Sequence, residues 1–312
     1  MNNPANRRDF LKTAALVGAT AILPKPLSHP SSKSLLVFTK SSGWEHDVVK
    51  RADGKPSIVE NAVTELGKKH GFAVECSKDG RIFDSPEFHA FQGTLFFTTG
   101  DLTQSATDKN PPMTSQGKQS FLDAISNGMG FAGVHAASDT FHTQPDSENR
   151  ATRYVAYGEK ADPYLRMLGG EFIIHGDSPR LQTTNLIIND PKFPGLEGLR
   201  SPVEFNEEWY SLKDFAPDLH VILTIDTGKL KGNCYQRRPY PSTWARMHNK
   251  GRVFYTAMGD RPENWQNPFF LNLLAGGIRW SLGEINADIS TNLLAVTPGY
   301  ADIPPQEPNK KK

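Results

Sequence analysis

Between residues 34 and 135 the chain alternates short, apolar, β-prone runs with segments of helical period, and this alternation restricts the fold more than any other feature. Ser34 to Thr39, Phe72 to Cys76, Thr94 to Thr99 and Gly128 to Val134 read as strands. A helix is expected from about Lys55 to His70, with Ile58, Ala62, Val63 and Leu66 at helical spacing and Gly71 as its stop. Asp84-Ser85-Pro86-Glu87 opens a short helix with proline in its first turn. Thr114-Ser115-Gln116 opens another, with Phe121, Leu122 and Ile125 on one face. The order β-α-β-α-β-α-β specifies an α/β protein: a doubly wound, mostly parallel sheet with helices on both faces and right-handed crossovers. Parallel strands share a direction, so their carboxyl ends line one edge, and open α/β sheets bind ligands at that edge.

Three of the four strand ends carry unusual polar residues: Trp44 and His46, then Gly100 and Asp101, then His135, which is followed by Ala136-Ala137-Ser138-Asp139. The second half is less regular. A polar stretch over 139–160 leads to a short helix, Pro163 to Leu168, stopped by Gly169-Gly170. A strand from Glu171 ends in His175, and Leu181 to Asn189 is an alternating strand. Asn206-Glu207-Glu208-Trp209-Tyr210 forms an acidic-aromatic cluster. His220 to Asp226 and Arg252 to Ala257 are further strands, and Asn267 to Leu282 is a final helix.

The candidate chemistry rests on His46, His135, His175 and the pair Glu207-Glu208. Histidines with carboxylates make either an acid–base pair or a metal site. There is no HExxH, no CxxC and no aspartate-rich calcium loop, so no cofactor is identified from spacing, and a divalent metal would have to use His46, His135 and His175 from separate strand ends. Adjacent strand residues face opposite ways, so only one of Glu207 and Glu208 can enter the crevice. His135 occupies the strand-to-helix elbow where hydrolases of this architecture place a serine or cysteine nucleophile, and Ser138 lies beyond it. No glycine-rich phosphate loop follows the first strand. Trp44, Trp209, Tyr210, Trp244 and Trp265 lie near strand ends or polar loops, and aromatic faces beside carboxylates and histidines suit a neutral polyhydroxylated ligand; Trp is equally at home in a core.

Of 312 residues, 37 % are hydrophobic and the formal net charge is +1, so no electrostatic footprint for nucleic acid or an anionic membrane is visible. Asn6-Arg7-Arg8-Asp9-Phe10-Leu11-Lys12, a modest apolar run to Leu23 and Ala19-Thr20-Ala21 have the layout of a twin-arginine export signal, which makes the twin-arginine machinery a partner and the location periplasmic or extracellular. The apolar run is shorter than the ~20 residues of a membrane span. Residues 1–32 are therefore assigned to signal and spacer, 33–285 to one domain and 286–312 to a loose C-terminal extension. Cys76 and Cys234 are compatible with one disulfide or with two thiols.

Gly43-Trp44-Glu45-His46, Thr98-Thr99-Gly100-Asp101, Gly130 to Thr140, Leu168 to His175, Glu207-Glu208-Trp209-Tyr210, Thr243-Trp244-Ala245-Arg246 and Gly251 to Gly259 together resemble the ThuA-like (trehalose utilisation) proteins over about residues 34–283. The resemblance implies a flavodoxin-like fold of the class I glutamine amidotransferase type, with His135 standing where true amidotransferases have cysteine, which argues against glutaminase activity. It also implies a place in carbohydrate catabolism. Two positions depart from the family pattern: Glu207-Glu208 replaces Asp-Glu, and Asp260 replaces a histidine. The reading that follows is an enzyme acting on a sugar, glycoside or keto-sugar as hydrolase, lyase or isomerase. His135, His175, His46 and Glu208 or Glu207 would do the chemistry. Trp44, Asp101, Asp139, Trp209, Tyr210, Trp244 and Arg246 would contact substrate. The alternative is a non-catalytic carbohydrate-binding protein using the same crevice.

Overall fold

A computed structural model describes residues 32–146 and 150–306; the export signal lies outside the described residues. The first four strands are β1 (Ser34–Phe38), β2 (Ala73–Ser77), β3 (Gly93–Phe96) and β4 (Gly130–Val134). Leu35, Leu36, Val37 and Phe38 are all fully buried, as a central strand covered on both faces requires. Helix α1 (Ile58–His70) starts in a reciprocal capping box: Ser57 accepts from the Glu60 amide while the Glu60 side chain accepts from the Ser57 amide, and Gly71 closes the helix in a left-handed conformation. Glu60 also accepts from Thr39 Oγ1 at 3.0 Å and from Arg51, which ties the start of α1 to the end of β1. Helix α2 (Ser115–Ser126) is capped by Thr114.

The later elements are α3 (Pro163–Leu168), β5 (Glu171–His175), β6 (Leu181–Ile188), β7 (Val203–Glu208), β8 (Tyr210–Lys213), β9 (His220–Ile225), β10 (Tyr240–His248), β11 (Gly251–Thr256), α4 (Pro268–Ser281) and α5 (Leu293–Val296). Nine strands form one sheet in the order β2-β1-β3-β4-β11-β10-β9-β6-β7. The half from β2 to β11 is parallel. From β11 to β7 each neighbour is antiparallel, so only β10 and β6 run against the rest. The sheet is thus mostly parallel and mixed, consistent with a flavodoxin-like fold. Phe254 of β11 is buried beneath α4, and its neighbour Tyr255 points to the opposite face, where its hydroxyl donates to the His135 carbonyl at 2.8 Å.

β5 and β8 make a separate two-stranded sheet that pairs His175 with Tyr210. The chain therefore leaves the main sheet at Glu208 and enters the small sheet at Tyr210, with Trp209 as the pivot. Two sequence expectations change. β10, which contains Pro241 and no clean alternation, was not expected as a strand. Within the described residues, 287–306 are packed rather than loose: Leu293 is buried, Asn292 bonds both backbone groups of Val221, and Arg238 pairs with Asp302 at 2.8 Å. Cys76 and Cys234 form no disulfide.

Candidate functional site

The ends of β1, β3 and β4 are stitched together by backbone bonds. The amides of Ser42 and Gly43 donate to the Thr99 carbonyl at 2.9 and 3.1 Å, and the Gly100 amide donates to the Asp139 carbonyl at 2.8 Å. Thr99 Oγ1 donates to the Trp44 carbonyl at 2.8 Å. This knot presents Trp44, His46, Asp101 and Asp139 to a crevice of about 480 Å³, whose other walls include His142, Arg153, His175, Arg180, Glu208 and Tyr210. Trp44 is 66 % exposed at the rim.

His135 lies beneath the crevice, fully buried, on a backbone with φ +45°. A positive φ at a non-glycine residue costs about 1–3 kcal/mol and persists only when its surroundings impose it. Here Ser138 and Tyr255 both bond the His135 carbonyl, and Nδ1 donates to the Ala257 carbonyl at 2.8 Å. With Nδ1 committed, Nε2 is left facing Glu208 Oε2 at 3.5 Å and has no hydrogen-bond partner. Burial works against a charge on His135, but the Glu208 carboxylate and the fields of Asp260 and Glu207 outweigh it and raise the imidazole above its ordinary range. Glu208 is driven the opposite way, below the usual carboxylate range: burial opposes its charge, and His135, His175 and Arg180 overcome it.

Glu208 is the hub. Its Oε1 accepts from Arg180 and lies 3.5 Å from His175 Nδ1, while Oε2 faces His135. Arg180 also reaches Asp260 at 3.4 Å. His46 is held neutral by burial, with its imidazole pulled down to about 3. Its Nε2 lies 3.3 Å from Tyr210 Oη and 3.9 Å from Asp260 Oδ1. One ligand-type atom from each of His46, His135, Glu208 and Asp260 falls within 4.8 Å of every other. His175 is outside that set and instead sits partly exposed between Glu208 and Asp177.

A second polar cluster lines the same crevice. His142 is held between Asp139 and Glu171, the latter at 3.1 Å, so both ring nitrogens meet carboxylates. Burial disfavours its charge, but these two neighbours raise it overall. Asp139 also takes Arg153 at 3.3 Å.

The structure brings together His46, His135, His175, Glu208, Trp44, Asp101, Asp139 and Tyr210. Four other expected residues stand elsewhere. Glu207 faces away from the crevice and accepts from the Gly259 amide at 2.7 Å and from Asn264 at 2.8 Å; burial pushes its carboxyl up to about 7. Trp209 and Trp244 are fully buried, their indole N–H groups donating to the carbonyls of Gln182 and Leu168 at 2.9 Å. Arg246 caps the carbonyls of Arg166 and Met167 and pairs with Asp218, away from the crevice. Arg180, His142 and Arg153 were not foreseen. The only sequence signal for them is proximity: Arg180 follows the His175 strand end, and His142 follows Asp139.

Residues 4–24 match the twin-arginine translocation signal sequence, so the chain carries an export signal, and no helix among the described residues is long and apolar enough to cross a membrane. No curated protein matches the chain significantly. Among solved structures, a ThuA-like protein from Bacteroides uniformis ATCC 8492 superposes with a TM-score of 0.57 at 17 % identity, covering 82 % of this chain and 95 % of its own. One from Parabacteroides merdae ATCC 43184 gives 0.56 at 17 % identity, covering 88 % and 96 %. The trehalose-utilisation family model matches residues 34–281, most of the chain, and the protein belongs to the ThuA family.

Proposed function

We propose that this ThuA protein is an exported enzyme that binds a sugar, glycoside or keto-sugar in the crevice and acts on it by histidine–carboxylate acid–base chemistry. One observation carries the reading: a dense cluster of buried ionisable groups, drawn from several strand ends, lies under an exposed tryptophan. Burying the neutral His46 together with the charged groups of His135, Glu208 and Asp260 does not help folding, because each polar or charged group loses hydration that its partners only partly restore. Such clusters of perturbed groups in a cleft are characteristic of sites that do chemistry.

The roles divide by access. His175 faces the crevice with Glu208 beside its Nδ1, so the pair can take or return a proton. Arg180, nearly half exposed, stands where it can stabilise an oxyanion that forms when a proton leaves the carbon beside a keto group. His135 holds Glu208 from below. Elimination or isomerisation of a keto-sugar needs only these groups, and a hydrolase reading uses the same pair to activate water. Glutaminase chemistry has no nucleophile here, since His135 occupies the elbow and Ser138 is turned into the His135 carbonyl. The Trp44 face supplies the apolar surface on which a sugar ring stacks.

The test is turnover of a panel of glycosides and 3-keto-glycosides by the mature chain and by His135→Ala and His175→Ala. The expected result is turnover by the unaltered chain and a loss of about 10²–10⁴-fold in His175→Ala, the usual range for a removed acid–base group. Saturable binding with no turnover anywhere on the panel would instead mark a carbohydrate-binding protein and overturn the enzymatic reading.

A further inference from the structure

The four side chains beneath the crevice are arranged as a ligand set. His135 is fully buried and His46 nearly so, and each keeps one ring nitrogen without a hydrogen-bond partner: Nε2 in His135 and Nδ1 in His46. A buried, unpartnered imidazole nitrogen is costly. The two rings lie 5.3 Å apart, with His135 Nε2 facing Glu208 and His46 Nε2, rather than its unpartnered Nδ1, facing Asp260, so that one ion between them would be shared by all four groups. The backbone supplies the outer support that metal-bound histidines usually have: His135 Nδ1 donates to the Ala257 carbonyl, which turns Nε2 towards the carboxylates, where an ion would displace its proton. Glu208 and Asp260 share a single guanidinium, Arg180.

We infer that His46, His135, Glu208 and Asp260 form a binding site for one divalent transition-metal ion at the floor of the crevice. The dimensions fit. Ligands at about 2.1 Å from one ion in a tetrahedral shell lie about 3.4 Å apart. The four candidate atoms lie within 4.8 Å of one another, with His135 to Glu208 at 3.5 Å and His46 to Asp260 at 3.9 Å. Side-chain shifts of up to about 1 Å close the set. Two imidazoles and two carboxylates favour ions such as Zn²⁺, Mn²⁺, Fe²⁺ or Co²⁺ over Mg²⁺ and Ca²⁺, which prefer all-oxygen shells. His175, reading the other oxygen of Glu208, stays outside the set and remains available for proton transfer. This inference rests on the same site as the proposed function but stands or falls separately.

The experiment is elemental analysis of the mature, exported chain, followed by chelation and titration with Zn²⁺, Mn²⁺ and Co²⁺, using the visible absorption of Co²⁺ as the spectroscopic readout. About one ion per chain is expected, with affinity reduced at least about 100-fold in His135→Ala, since even supporting residues are worth 10–100-fold. Because His135 is fully buried, Asp260→Ala, whose side chain is 12 % exposed, is the second variant and should show the same loss with an unchanged circular dichroism spectrum. His175→Ala should keep the full stoichiometry. Absence of saturable binding by all three ions, or equal binding by Asp260→Ala and the unaltered chain, overturns the inference. Sugar binding and turnover by a chain that takes up none of the three ions would overturn this inference and leave the proposed function intact. One tightly bound ion with no sugar binding would do the reverse.

Discussion

Gly100 offers a direct test of how the crevice is assembled. It has φ +73°, and a methyl group built on it would lie 2.6 Å from the Gly43 nitrogen and 3.0 Å from the Ser42 carbonyl carbon. Both atoms are backbone of the loop that carries Trp44 and His46, so relief requires moving that loop rather than rotating a side chain. Gly100→Ala thus has two costs. The left-handed conformation costs about 1 kcal/mol, and forcing backbone apart in a packed region costs about 1–3 kcal/mol more. The sum, about 2–4 kcal/mol, lowers Tm by roughly 5–15 °C in a domain of this size. Gly54→Ala is the matched control, because its φ is +71° but nothing lies within 4 Å of the added methyl. It should lose only about 2–4 °C. The measurement is thermal denaturation of both variants by circular dichroism, repeated for ligand affinity at a temperature where both remain folded. Gly100→Ala should also weaken binding in the crevice, because Gly43 leads directly into Trp44. Equal losses of Tm in the two variants would show that the close crossing of the β1 and β3 loops is not a constraint, and the reasoning would fail.

Two further outcomes follow from the same structure. Trp44→Ala should leave Tm within about 2 °C, since the side chain is 66 % exposed, yet weaken sugar binding by about 30-fold: stacking covers roughly 80 Å² of its free face, worth about 2 kcal/mol. Isothermal titration with the tightest-binding panel member checks this, and an unchanged Kd would remove Trp44 from the site. Glu60→Gln should cost about 2 kcal/mol in urea denaturation at pH 7, because the carboxylate serves Arg51, Thr39 and the Ser57 amide at once. Burial alone would raise this carboxyl, but its Arg51 and Ser57 bonds hold it below its ordinary value. Its contribution is therefore complete above the unfolded value near 4.3 and is lost as pH falls through the folded value, so the gap between variant and unaltered chain should narrow toward pH 3. A gap that widens on acidification would contradict the sign.

The parallel half of the fold was legible because β1, β3 and β4 are short buried runs, β2 is a short edge strand, and the helices between them are capped, each cap leaving a mark in sequence: Ser57 with Glu60, Thr114, and Gly71. The antiparallel wing was less so. Strand β10 begins Tyr240-Pro241-Ser242 and pairs with β9 through register shifts, so no period of two survives to announce it. Within the site, strand ends in the parallel half declared themselves, since a histidine closing an apolar run has few other readings. Tryptophan did not: Trp44 and Trp244 are alike in sequence, but one is exposed at the rim and the other donates its indole N–H to a core carbonyl. Burial of that kind depends on α3 and β10 meeting, a contact between residues 76 positions apart.

Glu207 and Glu208 show how much function hangs on alternation alone. The two carboxylates are neighbours on β7, yet one is satisfied by the Gly259 amide and Asn264 on the far side of the strand, while the other meets His135, His175 and Arg180. The period of two guarantees the split, but which residue turns inward is set by where β7 ends and the chain crosses to β8. Moving that crossing by one residue would exchange the two glutamates, bury the hub against Asn264 and leave His135 facing no carboxylate. The position of Trp209, locked by its bond to Gln182 on β6, fixes the crossing. The buried tryptophan that sequence reading placed against substrate thus sets, from behind the sheet, which acid the crevice contains.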